Sequence, residues 1–535
     1  MNTWSLILLA GIAAAMLLSS RRLIHWFQLE SYQFPGYFRT LRRHLFRAFL
    51  PGLILTVMLF AVIFLFAGIG TDDQAMLRNV LAAAAMTACG VVILLVQKKG
   101  KMKKPLVFTA RVKRLYVTVG LTYFGLLAAA AAIGGAQPDK GWILLIAAIP
   151  LLIPLWFALG GLLAWPVEKG ISELYFRDAR RKLLARKDLI RIGITGSWGK
   201  TSVKFILGTL LQEKYNTLVT PASYNTPMGV TKVIRTMLEP GHRVFVAEMG
   251  ARHVGDIKEM CRLVHPVYGI LTSVGPQHLD TFKTVERIKK TKYELMDAIP
   301  ENGVCFFADD QGICRELYAG TEKEKVIAGT EAGLDDVWAE NITVTPTGSE
   351  FDLCTKQERC ACRTLLLGEL NIRNITLAAS VCLKLGLTMK QISRGISRLQ
   401  PVEHRLQLIP RPDGITVIDD AFNSNIRGAK TALHVLKDFP GRRIAVTPGM
   451  VELGSEEEKL NREIGETLAE CVDIALLVGG KHTAPIAEGM RAKGFDEKGL
   501  LTVRTLDEAM AWINMNGRAG DVILFENDLP DNYNE

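Results

Sequence analysis

Residues Thr195, Gly196, Ser197, Trp198, Gly199, Lys200, Thr201 and Ser202 follow the short apolar run RIGI and precede VKFILGTLL. These residue types in this order can hold a nucleoside triphosphate. Gly196 and Gly199 let the backbone turn tightly and approach phosphate oxygens. The loop N–H groups and the start of the next helix favour negative charge. Lys200 can reach the β- and γ-phosphates, and the Thr201 hydroxyl can bind Mg2+. The strict G-x-x-x-x-G-K-[ST] pattern wants glycine at 194, where Ile194 stands, so the loop is a variant. A chance glycine-rich turn at a helix cap is the plain alternative. The succession of strand, loop, Gly-Lys-Thr-Ser and helix weighs against it.

Two further groups carry possible chemistry. Glu248 ends the apolar run RVFVAE, where a carboxylate can hold Mg2+ near Thr201. An exposed strand-end glutamate is the alternative. Cys354, Cys360 and Cys362 form the only cysteine cluster among nine cysteines. A zinc site wants a fourth ligand and tighter spacing, so a reduced β-segment is the better reading.

These residues need a scaffold, and the pattern supplies one. From 191 to about 398, the apolar runs RIGIT, NTLVT, RVFVAEMG, YGILTSVG and GVCFFAD read as strands with helices between them. That alternation predicts a parallel α/β sheet with the phosphate loop after its first strand. Residues 337–368 look richer in strand, and a long helical stretch broken at Gly386 follows. Near Pro401 the alternation restarts with GITVIDD, RRIAVTPGM, DIALLVGG, LLTVRT and DVILFEND. This is a second, smaller Rossmann-like α/β domain without its own phosphate loop. The expected division is a membrane domain over 1–165, a charged amphipathic connector over 166–190, an ATP-binding domain over 191–398 and a C-terminal domain over 399–535.

The first 165 residues are of another kind. Hydrophobic residues make up 49% of the chain and the mean hydropathy is +0.19. Five apolar runs, near 3–20, 46–70, 76–96, 115–136 and 142–165, are each about long enough to cross a bilayer as a helix. The net charge of +10 divides unevenly: residues 1–191 carry 24 Lys+Arg against 8 Asp+Glu, and the rest carry 40 against 46. The basic excess therefore belongs to the apolar part, which speaks for a membrane and against a nucleic-acid partner. Basic residues crowd 21–45, 97–114 and 177–187, whereas the alternate loops carry Asp72, Asp73 and Asp139. The positive-inside rule then puts the N-terminus outside and residues 166–535 in the cytoplasm. The loop over 29–44 interleaves aromatics with arginines. It suits an anionic headgroup, or ordinary interfacial anchoring.

TGSWGKTS, AEMG, TSVGPQHLD, KTKYEL, LNIRN, PVEHR, DDAFNSN and GMVELG occur in this order over 195–454. Together they resemble the Mur ligase family, in particular the branch that adds D-alanyl-D-alanine to the peptidoglycan precursor, over roughly 190–525. The resemblance implies ATP-dependent amide-bond formation: a carboxylate takes the γ-phosphate and an amine displaces phosphate from the acyl phosphate. It makes Thr201, Glu248, His278 and Lys292 the metal-site residues, with Lys292 carbamylated by CO2. From its own surroundings Lys292 is only one lysine of a solvated basic helix, beside Lys289 and Lys290, and a lone His278 after a strand is more often structural. The resemblance also puts Asn225 at the reaction site, Asn371 and Asn374 on adenine, Arg405 on the phosphates and Asp420 on the nucleotide. Asn423 and Asn425 would line the amine side. For any one residue of DDAFNSN, a polar turn is the alternative. The nucleotide-binding set is thus Thr195, Gly196, Ser197, Gly199, Lys200, Thr201, Ser202, Asn371, Asn374, Arg405 and Asp420. The catalytic set is Lys200, Lys292, His278, Asn225 and Arg405.

Several departures accompany the resemblance. Apolar spans stand in place of the family's UDP-sugar domain. Leu370 and Asn461 stand where histidines are common. The ending ENDLPDNYNE replaces a basic one, so that Glu526, Asp528 and Asp531 would favour a more cationic amine. The expected cofactors are ATP and Mg2+. The expected substrates are a carboxylate, lipid-linked or UDP-linked, and an amine of envelope synthesis. A polyglutamate-type capsule ligase and a nucleotide-regulated transporter or scaffold are the rival readings.

Overall fold

The computed structural model describes the chain except residues 1–2, 68–74, 99–104, 136–145, 223, 278, 346, 403, 422–425, 452 and 528–535. It divides into two compact units, Met1–Glu173 and Leu174–Leu529.

The first unit is helical: α1 (Thr3–Ser19), α2 (Arg21–Leu29), α3 (Phe34–Arg43), α4 (Leu45–Ala67), α5 (Ala75–Lys98), α6 (Ala110–Gly135) and the start of α7 (Ile153–Leu184). Four stretches, Leu45–Leu65, Met76–Lys98, Ala110–Ile133 and Ile146–Leu184, are long and apolar enough to cross a membrane. The first apolar run qualifies only together with α2, across a 43° bend, so the five expected spans become four or five. The bend has a local cause. The Gln97 amide enters the interrupted helix ladder, accepting from Arg22 N at 3.2 Å and donating to Ser19 O at 2.9 Å. Ser20 Oγ donates to Met16 O and shares a 2.8 Å hydrogen bond with Tyr123 Oη. Met16 O, Ser19 O and Arg22 N at the break thus have side-chain partners, as an apolar surrounding favours. Small residues bring α1 and α5 together: a Cβ on Gly11 would stand 2.6 Å from Ala83 Cα.

The second unit holds two sheets. The larger has nine strands in the order β2-β3-β1-β4-β5-β6-β7-β8-β9. These are β1 (Ile190–Thr195), β2 (Thr217–Val219), β3 (Val244–Glu248), β4 (Tyr268–Leu271), β5 (Val304–Ala308), β6 (Lys325–Gly329), β7 (Val337–Thr345), β8 (Gly348–Thr355) and β9 (Arg359–Thr364). The sheet is parallel through β7, and β7–β8–β9 run antiparallel. The parallel sheet expected from the pattern is present through β7, and the strand-rich segment 337–368 extends it with an antiparallel edge. The cause lies in the connections: links as short as Thr355 to Arg359 cannot carry a crossover and allow only antiparallel neighbours.

The smaller sheet has the order β10-β11-β15-β12-β13-β14. Its strands are β10 (Gln407–Pro410), β11 (Thr416–Asp420), β12 (Arg443–Thr447), β13 (Ile474–Val478), β14 (Leu500–Val503) and β15 (Val522–Glu526). Only β10 is antiparallel. Apolar side chains cover both faces of each sheet, as parallel strands require. The helix Lys200–Leu211 buries Val203, Ile206, Leu207, Leu210 and Leu211 against the larger sheet, which fixes the loop before it.

Candidate active site

The phosphate loop leaves the C-terminal end of β1, and Ile194 lies in register with Glu248 on β3. Two side chains central to the chemistry thus emerge from neighbouring strand ends, where ligands of open α/β sheets bind. The loop is shaped by the segment after β4. Ser273 Oγ accepts from Trp198 N at 2.8 Å and donates to Trp198 O at 2.8 Å. Ser197 Oγ and Gly275 exchange two 3.0 Å hydrogen bonds. Thr195 Oγ1 donates to Met249 O at 3.0 Å. Gly196 has φ 155°, and a Cβ there would lie 2.1 Å from Thr272 Oγ1. Glycine at 196 is therefore required by the neighbouring strand as well as by an approaching phosphate. Gly199 has φ 80° and begins the helix.

Lys200 Nζ donates to Gly196 O at 2.6 Å and Ser197 O at 2.9 Å. Burial pulls its pKa down to about 8, with Glu248 opposing and Arg405 adding to the fall. The Thr201 hydroxyl donates to the Glu248 carboxylate, 3.1 and 3.0 Å from its two oxygens. Asn225 Nδ2 donates to Glu248 Oε1 at 3.1 Å, and Asn225 O accepts from Gly250 N at 2.8 Å. Glu248 is buried and is no exposed strand cap. Burial would raise its pKa, but Lys204, Lys200 and Asn225 more than offset this and leave it lowered.

Lys204 is the site residue that the motif reading missed. It is fully buried, 3.0 Å from Glu248 Oε2, and donates to Ala222 O at 2.6 Å. Ala222 has φ 42°, so the lysine also holds a left-handed turn before Asn225. The signal was present: one lysine within the apolar run VKFILGTLL, four residues after Lys200 and so on the same helix face.

Lys292 lies on the helix Val285–Ala298 and is buried, not solvated. Burial pushes its pKa well down, Lys200 lowers it further, and Asp256, Glu248 and Glu294 oppose. No hydrogen bond or ion pair joins its ammonium to another described residue. His278 lies outside the described residues, as do Asn423, Asn425, Asp528 and Asp531.

Arg405 comes from the start of the smaller domain, between His404 (φ 58°) and Leu406 (φ 46°). Two left-handed non-glycine residues hold it in an unfavourable backbone. Burial lowers its pKa, and Glu248 and Asp420 oppose. Asp420 accepts from Leu406 N at 3.1 Å, and burial lifts its pKa to about 6. Asp419 accepts from Ala421 N and shares a 2.7 Å hydrogen bond with His404 Nδ1.

The two asparagines diverge. Asn371 lines a small cleft with Ser202, Phe205, Thr209, Gln400 and Arg405. Its amide donates to Leu367 O at 2.9 Å. Asn374 is buried with its oxygen toward Gly199, where a Cβ would stand 3.0 Å away.

Asn461 and Met450 form a closed pair: Met450 N donates to Asn461 Oδ1 at 2.8 Å, and Asn461 Nδ2 donates to Met450 O at 2.9 Å. Glu526, expected on an acidic surface, is instead buried in β15 and accepts from Thr447 Oγ1 at 3.1 Å. A strand-end position in a parallel sheet explains this. Cys360 and Cys362 project from one face of β8–β9, and Cys354 from the other, since Cys354 lies in register with Arg359 while Leu353 lies in register with Cys360. The described residues contain no group of three metal-ligating side chains.

Residues 194–382 match the Mur ligase middle domain, and residues 404–526 match the Mur ligase, glutamate ligase domain. The UDP-N-acetylmuramoyl-tripeptide–D-alanyl-D-alanine ligase of Escherichia coli K12 is 30% identical over 351 residues, 64% of this chain and 77% of that one. The enzyme of the same name from Bacillus subtilis is 26% identical over 337 residues, 63% of this chain and 72% of that one. Crystal structures of MurF from Acinetobacter baumannii and of MurF from Thermotoga maritima in complex with ADP superpose with TM-scores of 0.61 and 0.60. Both are 26% identical, cover 67% of this chain, and are themselves covered to 77% and 80%. The matched domains begin at residue 194, after the four long apolar helices. A phosphate loop braced against β4, a buried strand-end glutamate and an arginine from the second domain accompany these matches, and the chain belongs to the Mur ligase family of ATP-dependent ligases.

Proposed function

We propose that this protein is a membrane-embedded amide ligase that activates an envelope-precursor carboxylate with ATP and joins it to an amine. Four basic side chains, Lys200, Lys204, Lys292 and Arg405, all feel the carboxylate of Glu248, with Lys204 at 3.0 Å from it, and this gathering of basic groups beside the phosphate loop carries the reading. It suits a polyphosphate and the charge that develops as the γ-phosphoryl group moves.

In this reading Lys200 leaves its two loop carbonyls for the β- and γ-phosphates, and Arg405 takes phosphate oxygens from the opposite domain. The carboxylate oxygen attacks the γ-phosphorus and ADP departs. The amine nitrogen then attacks the acyl carbon, phosphate leaves, and the amine gives up a proton. Asn225 braces Glu248 next to the reacting groups. Closure of the two domains keeps water from the acyl phosphate.

Thr201 and Glu248 are hard oxygen donors within hydrogen-bond reach of each other, so they fit Mg2+, which takes one or two protein oxygens plus substrate phosphates. Bound there, it would neutralise phosphate charge. Lys292 is buried, without a hydrogen-bonding partner among the described residues, and its pKa is lowered. A neutral amine of that kind is the form that reacts with CO2, which supports carbamylation, while a metal-site role for His278 rests on the family resemblance alone.

The apolar helices support a bilayer location, and the charge distribution supports a cytoplasmic ligase half with the N-terminus outside. The donor in this reading is lipid-linked or otherwise held at the membrane. Depletion of the protein followed by mass spectrometry of envelope precursors tests the proposal. An accumulating carboxylate precursor is expected and would name the donor. An unchanged precursor pool, or ATP turnover that follows a transported solute and not an added amine, would overturn it. A separated ligase half that used a UDP-linked precursor as fast as the full chain would remove the lipid-presentation part.

A further inference from the structure

The helical unit contains a polar cluster that the ligase chemistry does not use. Glu168, with 9% of its side chain exposed, meets two arginines. Arg114 takes both carboxylate oxygens, at 2.5 and 2.9 Å. Arg111 Nε stands 3.6 Å from the nearer oxygen, beyond hydrogen-bonding distance. One carboxylate thus satisfies one arginine. No hydrogen-bond acceptor among the described residues lies on the Arg111 guanidinium, which is about one-third exposed.

Arg111 is nevertheless held in place. Its guanidinium carbon lies 3.9 Å from the centre of the Tyr32 ring. Tyr32 and Ser31 are consecutive left-handed residues, φ 62° and 53°, a conformation that non-glycine residues avoid. Tyr32 N donates to Phe27 O at 2.7 Å, and Gln28 Nε2 donates to Tyr32 Oη at 3.2 Å. Gln28 also exchanges two hydrogen bonds with the Val107 backbone, at 2.9 and 3.0 Å. An arginine that only anchors a helix at an interface needs no strained turn beneath it. Strain of this kind gathers where a side chain must be aimed.

We propose that Arg111, stacked on Tyr32, binds the phosphate of a lipid. Stacking orders the planar fork while leaving its edge N–H groups for two parallel bonds to phosphate oxygens. The Arg114–Glu168 pair is neutral, so the site keeps one positive charge. Arg111 sits at the polar start of the apolar stretch Ala110–Ile133, at the level where a headgroup meets a hydrocarbon chain. Phe27 lies behind Tyr32, with ring centres 5.6 Å apart, and packs on Phe34 and Phe157. These rings are buried and fix Tyr32, while Val107 and Phe108, just before Arg111, are more than half exposed, and that apolar surface is what separates a lipid phosphate from a free one. The inference deepens the reading of a membrane-held donor and rests on it.

The test uses the full chain in dodecyl maltoside micelles, which carry no phosphate, without ATP. Retention of phosphatidic acid is compared with that of diacylglycerol bearing the same chains, by native mass spectrometry. The expected result is a preference of roughly tenfold or more for phosphatidic acid, lost in Arg111→Gln, reduced in Tyr32→Leu and partly kept in Arg111→Lys. Should Arg111→Gln lose its helical signal, the Arg111→Lys and Tyr32→Leu proteins decide. Equal retention of the two lipids, or wild-type preference in folded Arg111→Gln, would overturn the proposal. So would displacement of phosphatidic acid by an equal concentration of inorganic phosphate, which marks a free-anion site. Lipid retention is read without turnover, so its failure leaves the ligase reading standing, and the converse holds.

Discussion

Glu248 in the larger sheet sits among four basic groups, whereas Glu168 in the helical unit sits between two arginines. Both clusters hold more basic groups than the carboxylate at their centre can pair with. They differ in the chemistry of the surplus. Around Glu248 three of the four basic groups are lysines, and burial lowers their pKa values, so the charge can be withheld until an anion arrives. Around Glu168 both are arginines, which remain charged in proteins. A lysine cluster can take up a proton as it binds phosphates and release one with the product. An arginine cluster attracts anions permanently. The first suits turnover and the second suits retention.

The largest effect expected from this contrast is on catalysis. Lys200→Ala should lower ATP turnover by the full chain by about 10³-fold, the scale of losing one preorganised cationic contact to a developing charge. Turnover within tenfold of wild type, measured as ADP release, would break the comparison at its centre. Lys204→Met tests the charge balance itself. It leaves Glu248 buried without its nearest counter-ion and should destabilise the ligand-free protein by about 3–5 kcal/mol, read from thermal melting. An unchanged melting curve would mean that Lys204 and Glu248 are not coupled. Asn461→Ala is the uncharged counterpart. Loss of two buried hydrogen bonds to Met450 should cost about 1–3 kcal/mol by the same measurement, with no dependence on ATP.

The smallest effect is in protons. Lys200 has a pKa of about 8 in the fold against the ordinary 10.5. Between these values the unfolded chain holds a proton that the fold lacks, so this group makes the ligand-free protein more stable as pH rises through that window. Phosphates reverse the shift. ATP binding at pH 8 should therefore take up about half a proton through Lys200, and less toward pH 6. Calorimetry in buffers of different ionisation enthalpy measures this. Equal apparent enthalpies in all buffers would show that the lysine cluster is as permanently charged as the arginine one.

Much of the larger sheet and of the loop was legible because both depend on local signals. RIGIT, the glycines and the amphipathic helix after Lys200 specify strand, turn and helix without outside help. β6 and β10 escaped the pattern reading because KVIAG and QLIP are short and lie beside turns. Lys204 escaped because motifs name the residues facing phosphate and omit the counter-charges behind them. Asn371 and Asn374, three residues apart, read as one pair in the sequence, while their surroundings differ in a way the spacing does not show: the Asn371 amide donates to Leu367 O and Asn374 faces Gly199 of the phosphate loop. The burial of Glu526 was invisible for a similar reason. Charge near a chain end reads as surface until the register of β15 beside β11 and β12 is known.

Trp198 is an indole inside the phosphate loop, its backbone held by Ser273 and its ring lying where a Cβ on Gly275 would stand, 2.1 Å away. The protein thereby carries a native fluorophore at the point where nucleotide arrives. Of its eight tryptophans, this one stands where movement of the loop against β4 should change its emission, which would let occupancy be followed optically without attaching a label.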